Sequence, residues 1–150
     1  MSDYIHLTVA SIVKNENKFL MVEEFSSRLE QNVFNQPAGH VENNEPIIEA
    51  IVRETLEETA WQVQPEAVIG IYQSFIDGNN EQTQYLRICF ECSVITKTNY
   101  SLDPDILRAV WMTSDEILNL NNPRSPMVKR CLQDYLNGQR FSLDILTALR

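Results

Sequence analysis

One stretch of 23 residues, 39–61, constrains this chain more than any other part of it. It is GHVENNEPIIEAIVRETLEETAW, and after Pro46 it continues to its end without a glycine or a further proline. Because proline suits the first turn of a helix, the pattern predicts a helix that begins at Pro46. At 100° per residue, the side chains of Glu54, Glu57 and Glu58 then fall within an arc of about 100°.

Three carboxylates on one helix face are unfavourable by themselves, because like charges at i and i+4, here Glu54 and Glu58, repel each other. A divalent cation removes that repulsion, and donors that are all oxygen select Mg²⁺ or Mn²⁺ rather than zinc. Mg²⁺ usually bridges carboxylates to substrate phosphates, so the pattern indicates a metal-dependent site that handles phosphate. The alternative is a solvated face on which Glu49 and Arg53 form an ordinary i,i+4 ion pair.

The spacing of the charged residues also matches a known motif. The stretch resembles the Nudix box, G-x5-E-x7-R-E-U-x-E-E-x-G-U, in which U is a bulky aliphatic residue. Six positions agree in register: Gly39, Glu45, Arg53, Glu54, Glu57 and Glu58. At about 7% usage per position, six matches arise by chance on the order of 10⁻⁷ times per starting point.

Two positions depart from the motif. Thr55 stands where an aliphatic residue is usual, and Ala60 replaces the final glycine. If the helix ends at Ala60 in a left-handed conformation, alanine is strained there by roughly 1 kcal/mol relative to glycine. Neither position is a candidate metal ligand, so we expect activity to be retained, with Trp61 in the core.

The Nudix resemblance implies one domain over residues 1–150, of class α+β, built as an α/β/α sandwich with a mixed β-sheet. The residue pattern agrees with that fold. Alternating and β-branched segments predict a hairpin at 4–13 and 18–24 and further strands at 67–76, 84–95 and 109–112. Turn-forming residues predict a turn at 77–80, and Thr113 to Glu116 match a capping box. A last helix is predicted at 125–137, and Gly138 ends it.

The resemblance also implies roles for the residues of the box. Glu57 and Glu58 would be the main ligands of Mg²⁺, for which Mn²⁺ could substitute, and Glu54 would be a ligand or would orient the attacking water. The Gly39 carbonyl would complete the coordination, and Arg53 would hold the carboxylates. The general base stays open between Glu54 and Glu57.

Family members often carry a further acid outside the box, and Asp105, with Asp103 second, lies at a plausible place for it. The alternative for both is a turn around Pro104. Substrate-binding candidates are Phe34, Gln36, Arg87, Arg124 and Arg28. For these the ordinary alternatives are core packing for an aromatic ring, including Tyr72, and a surface position for an arginine. His40 is expected to have a structural role in its loop.

The similarity extends beyond the box to a bacterial phosphatase branch of the family, through the segments 34–40 (FNQPAGH), 124–126 (RSP) and 138–141 (GQRF). This implies Mg²⁺-dependent hydrolysis of phosphoanhydride bonds in nucleoside tri- and diphosphates and in 4-amino-5-hydroxymethyl-2-methylpyrimidine diphosphate. One alternative is hydrolysis of ADP-ribose or dinucleoside polyphosphates. The other is a non-catalytic nucleotide-binding module, which retention of every charged residue of the box argues against.

The net charge of −9 argues against nucleic acid or an anionic membrane as the partner. Residues 39–61 hold six glutamates against one arginine, so a net of −5 lies in the region of the metal site. With no long apolar run and no basic leader, we expect a cytoplasmic protein. Cys89 and Cys92 read as parts of a buried strand. Whether the protein is a monomer or a homodimer stays open.

Overall fold

The mixed sheet carries the fold. In the computed structural model, which describes residues 4–78 and 81–149, seven strands form this sheet in the order β3-β2-β1-β6-β5, with β4 paired to β1 and β7 paired to β2. The strands are β1 Ile5–Asn15, β2 Lys18–Ser26, β3 Gln31–Asn35, β4 Ala38–His40, β5 Trp61–Gly78, β6 Glu81–Lys97 and β7 Ile106–Thr113. The helices are α1 Ile47–Thr59, α2 Ser114–Leu118 and α3 Pro126–Leu136, followed by a 3-10 turn at Leu143–Ile145.

Strand β1 makes the sheet mixed, because it runs parallel to β6 and antiparallel to β2 and β4. Side chains of consecutive strand residues point to opposite faces of a sheet. Val9 accordingly packs with Ile51 of α1, whereas Ala10 packs with Cys131 of α3. The sheet therefore lies between α1 and α3, which confirms the predicted α/β/α sandwich.

Most predicted elements are present, and the strands are longer than the sequence pattern indicates. The first hairpin is confirmed by the pairing of Lys14 with Phe19. Strands β5 and β6 begin to pair at Trp61 and Lys97. The pairing therefore includes residues outside the apolar segments 67–76 and 84–95 from which the strands are predicted. The predicted turn at 77–80 centres on residues 79 and 80, which lie outside the described residues.

Local signals set the ends of the helices. Thr113 and Glu116 form the predicted capping box of α2, and the Ser125 side chain caps α3. Beyond α3, Gly138 has a φ of 83°, a conformation that favours glycine. Within the described part of the chain, no helix has the length and apolar character needed to cross a membrane.

The C-x-x-C pair lies in a buried strand, as predicted. Cys89 packs into the core on the side of α3, and Cys92 packs into the core on the side of α1. Their side chains therefore point to opposite faces of β6. Both thiols are free, which agrees with the structural interpretation of the pair.

Candidate active site

Helix α1 is fixed to the sheet by a buried threonine. The Thr55 hydroxyl donates to the Ile51 carbonyl at 2.7 Å, and it lies 2.9 Å from the hydroxyl of Ser11 on β1. Thr55 is fully buried, so an aliphatic residue there would leave Ser11 without this partner. The departure from the motif is thus matched by a polar residue on the facing strand.

The other departure, Ala60, ends α1 in the left-handed conformation with φ 64° and ψ 9°. Three hydrogen bonds hold it there. Its N–H donates to the Leu56 carbonyl at 2.8 Å, and its own carbonyl accepts from the N–H and the hydroxyl of Thr98 at 2.8 and 2.7 Å. The helix therefore stops where a glycine would stop it, and the chain tolerates the strain.

Arg53 organises the carboxylates of the helix. Its guanidinium donates to Glu45 at 2.6 Å, to Glu54 at 2.8 Å and to Glu57 at 2.9 Å. It also donates to the carbonyl of His40 at 3.0 Å, which links α1 to β4. The hydrogen bond from Arg53 lowers the pKa of the Glu45 carboxyl.

The carboxylate face is not an ordinary solvated face. Among the described residues, the ion-pair partners of Arg53 are Glu42, Glu45, Glu54 and Glu57, and Glu49 is not one of them. The Glu54 side chain is only 12% exposed. The alternative of a Glu49–Arg53 surface pair is therefore wrong.

Two glutamates of α1 reach the short strand β4. Glu58 accepts a hydrogen bond from the Ala38 N–H at 2.9 Å. Burial, with the nearby charges of Glu24 and Glu54, raises the pKa of Glu58 to about 9. Burial also raises the pKa of Glu54, against the opposing effect of Arg53. A Cβ atom at Gly39 would overlap the Glu54 carboxylate, so any larger residue there would displace that carboxylate.

These groups line an open cleft of about 380 Å³. Six of the predicted site residues line it: Gly39, Glu54, Glu58, Arg28, Arg87 and Arg124. Carboxylates from α1 and arginines from three other parts of the chain therefore meet in one cleft. That combination can bind a cation and a phosphate chain side by side.

Arg87 is buried at the cleft, with 4% exposure, and its hydrogen-bond partners there are neutral. It donates to the amide oxygens of Gln36 and Asn35, both at 3.0 Å. Gln36 is oriented in turn, because its amide nitrogen donates to the Val128 carbonyl of α3 at 2.8 Å. Gln36 therefore contacts Arg87 rather than lining the cleft.

Other candidates lie away from the cleft lining. Phe34 packs against the core on the α3 side, and the Tyr72 hydroxyl there donates to Asp134 at 2.8 Å. Asp105 is exposed in a turn closed by the hydrogen bond from the Ile106 N–H to the Asp103 carbonyl at 3.0 Å. The turn around Pro104 is therefore present.

Sequence reasoning missed Glu24, which lies in the cleft on β2 and forms an ion pair with Arg124. Its side chain is 14% exposed, and burial raises its pKa. The sequence offers two adjacent glutamates at this point, and Glu23 pairs with Arg108 instead. The register shift between Glu23 and Glu24 where β2 meets β7 is a tertiary feature, so no sequence signal could have found the site residue.

No group of three or more Asp, Glu, His or Cys side chains among residues 4–78 and 81–149 is already arranged to hold a metal ion. The donor chemistry nevertheless fits a hard cation. Glu24, Glu54 and Glu58 bring only oxygen donors to the cleft. Burial, together with the repulsion of Glu24 and Glu54, raises the pKa of Glu58. A bound cation would relieve that repulsion.

The chain belongs to the Nudix family, because the NUDIX domain model matches residues 5–131. It is therefore a Nudix hydrolase. Phosphatase NudJ of Escherichia coli strain K12 is 38% identical over 143 residues, covering 94% of this chain and 90% of that protein.

Solved structures agree with this assignment. A NUDIX hydrolase from Nitrosomonas europaea superposes with a TM-score of 0.90 at 40% identity, covering 97% of this chain and 98% of that one. The MutT protein from Methanosarcina mazei Go1 has a TM-score of 0.73 at 19% identity, covering 93% and 99% of the two chains. The second match shows the fold alone.

Proposed function

We propose that this protein is a Mg²⁺-dependent hydrolase of phosphoanhydride bonds in nucleoside tri- and diphosphates and in 4-amino-5-hydroxymethyl-2-methylpyrimidine diphosphate. The observation that carries the proposal is the cleft itself, in which the Glu54 and Glu58 carboxylates face the same space as Arg87 and Arg124. Carboxylates supply cation binding, and arginines supply recognition of phosphate oxygens.

Glu54 and Glu58, with the Gly39 carbonyl, would hold Mg²⁺ in the cleft, and Mn²⁺ could take its place. Glu57 does not line the cleft but shares Arg53 with Glu54, and it would join them as a ligand. Asp105 is a weaker candidate, because it is exposed in its turn. When bound, such an ion neutralises charge on the phosphates and lowers the pKa of a bound water.

The chain's own side chains have distinct proposed roles. Arg53 positions the carboxylates, because one guanidinium binds Glu45, Glu54 and Glu57 together. Either Glu54 or Glu57 accepts the proton of the attacking water. Arg124 and Arg28, which line the cleft, neutralise phosphate charge, as does Arg87. Gln36 positions Arg87 by accepting a hydrogen bond from its guanidinium. The Phe34 carbonyl accepts a hydrogen bond from the backbone N–H of Arg124 and so supports the loop that carries this arginine.

The relative named Phosphatase NudJ, rather than the fold, supports a phosphatase activity in this proposal. Its identity of 38% over 94% of this chain supports a phosphatase, whereas cleavage of ADP-ribose or dinucleoside polyphosphates is the alternative. Product analysis separates the two. Orthophosphate released directly from a nucleoside triphosphate supports the proposal. Phosphate that appears from ADP-ribose or a dinucleoside polyphosphate only after a phosphatase is added supports the alternative, because these substrates carry no terminal phosphate until they are cleaved.

Substitution of one box carboxylate tests the catalytic assignment. We expect Glu57→Gln to lower kcat by at least about a hundredfold with the fold intact, because it removes a candidate ligand and base. The matched control is Glu49→Gln on the same helix, at an exposed position that Arg53 does not contact. Near-normal turnover of Glu57→Gln with Mg²⁺ would overturn the assignment.

A further inference from the structure

Three ring side chains from different strands meet on one face of the sheet. His6 of β1 is the register partner of Tyr85 on β6, and His40 of β4 pairs with Thr8, two residues beyond His6. Partners in neighbouring strands, and residues two apart in one strand, share a face of the sheet. The register therefore brings the three rings, His6, His40 and Tyr85, together as a cluster, called here the ring cluster.

The ring cluster is tightly connected. The rings of His6 and Tyr85 are stacked, with centroids 4.7 Å apart and planes 18° apart. The Nδ1 of His6 lies 2.9 Å from the Nε2 of His40, and the two rings meet edge to face. His6 therefore fixes the orientation of both other rings, which makes it a positioning residue.

Two members of the ring cluster, His40 and Tyr85, line the same cleft as the carboxylates. Tyr85 is two residues from Arg87 on β6, about 7 Å along the strand and on the same face. Ile76 also lines the cleft, and it shares the face of β5 on which Ser74 pairs with Tyr85. The cleft thus passes from carboxylates and arginines to an aromatic and apolar wall.

The aromatic residues that the sequence favours for stacking do not reach this wall. Phe34 and Tyr72 pack against the core on the α3 side, and neither lines the cleft. Tyr85 is half-buried and His40 is exposed, so the cleft leaves ring surface open to a ligand. Aromatic faces bind bases of any identity, because every base has a π-face.

We propose that the ring cluster is the platform on which the planar aromatic heterocycle of the substrate stacks, with its phosphates directed along the cleft toward Arg87 and the carboxylates. This inference rests on the proposed function, and it adds a binding site for the heterocycle of the substrate. A nucleobase and an aminopyrimidine share this flat ring chemistry. One non-selective platform therefore accommodates both substrate types.

Binding of two matched ligands tests the platform without turnover. Isothermal titration calorimetry in Mg²⁺ compares α,β-methylene ADP with methylenediphosphonate, which has the same bridged phosphorus pair and no nucleoside. We expect Tyr85→Ala to lower the affinity for α,β-methylene ADP by about ten- to a hundredfold. The affinity for methylenediphosphonate should change by less than twofold. The nucleoside preference, which is the ratio of the affinity for α,β-methylene ADP to that for methylenediphosphonate, should be retained in Tyr85→Phe and reduced in His6→Ala.

Two further variants separate stacking from folding. Tyr85→Leu keeps an apolar side chain but removes the ring, so it should lower the affinity for α,β-methylene ADP as Tyr85→Ala does. Tyr100→Ala removes an exposed tyrosine outside the cleft and should change the affinity for neither ligand. Equal weakening of both ligands, or unchanged nucleotide affinity in Tyr85→Ala and Tyr85→Leu, would overturn the platform. Hydrolysis by the unmodified protein tests the proposed function separately.

Discussion

The backbone of Gly39 packs directly against the carboxylate of Glu54, so closely that a Cβ atom at residue 39 would overlap that carboxylate. Glu54 is held from the other side by Arg53, whose guanidinium donates to it at 2.8 Å. The carboxylate is therefore confined between β4 and the arginine. A side chain at residue 39 would therefore have to displace this carboxylate.

Substitution of Gly39 should act on catalysis through Glu54. We expect Gly39→Ala to lower kcat by on the order of a hundredfold, because a displacement of about 1 Å in a catalytic group has that effect. The control is Gly138→Ala, where φ is 83° and no atom lies within 4 Å of the added methyl group. That variant should lose about 1 kcal/mol of stability and keep its kcat. Steady-state kinetics and thermal unfolding measure both effects, and full activity in Gly39→Ala would contradict the packing argument.

Replacement of Arg53 by lysine should loosen the carboxylates while keeping the charge. Arg53 binds Glu45 through its Nε and binds Glu54 and Glu57 through its Nη1, whereas a lysine carries all its donors on one nitrogen and has no such planar fork. We expect kcat/KM to fall by about 10- to 100-fold and the Mg²⁺ concentration for half-maximal rate to rise. Arg108→Lys, at an exposed pair with Glu23, is the matched control and should change neither value. An unchanged metal requirement in Arg53→Lys would show that the arginine does not position the ligands.

Restoring glycine at residue 60 should stabilise the fold. Ala60 has φ 64°, and relief of that strain is worth roughly 1 kcal/mol, slightly more than the roughly 0.8 kcal/mol lost with a buried methyl group. We expect Ala60→Gly to raise the Tm by up to a few degrees with kcat unchanged. Thermal unfolding measures the shift. A lower Tm would mean that the methyl group contributes more to packing than the strain costs.

Stability of the metal-free protein should depend on pH through Glu58. Burial raises the pKa of this carboxyl to about 9 from its ordinary value of 4.5. Between those values the native state holds a proton that the unfolded state has released, so the free energy of unfolding falls as pH rises. Glu58→Gln keeps an acceptor for the Ala38 N–H but does not titrate, so its stability should fall less steeply. Urea unfolding in EDTA at pH 5, 7 and 8.5 measures both slopes, and parallel slopes would refute the assignment.

Features that depend on neighbours along the chain were predictable. Helical spacing predicts that Glu54 and Glu58 share a face of α1, and the Thr113–Glu116 capping box is read directly from residues three apart. The alternation of strand side chains predicts that Cys89 and Cys92 point to opposite sides of the sheet. Each of these follows from the geometry of a single element.

Features that depend on strand register were not predictable from one sequence. The Glu24–Arg124 pair joins residues 100 positions apart, and Glu24 lies where the register of β2 against β7 shifts. The amides that hold Arg87 lie 51 and 52 positions away from it. A shift of one residue in register would send each of these side chains to the other face.

The sequence by itself thus determined the family, the fold and the carboxylate face of α1, because helical periodicity and motif spacing are local properties of the chain. Only the tertiary structure decided which arginines and which rings share the cleft with those carboxylates. Tyr85 rather than Phe34 or Tyr72 lines the cleft because of the pairing of β1 with β6 and β4. Such pairing is set by contacts between distant segments, which spacing along the chain does not encode.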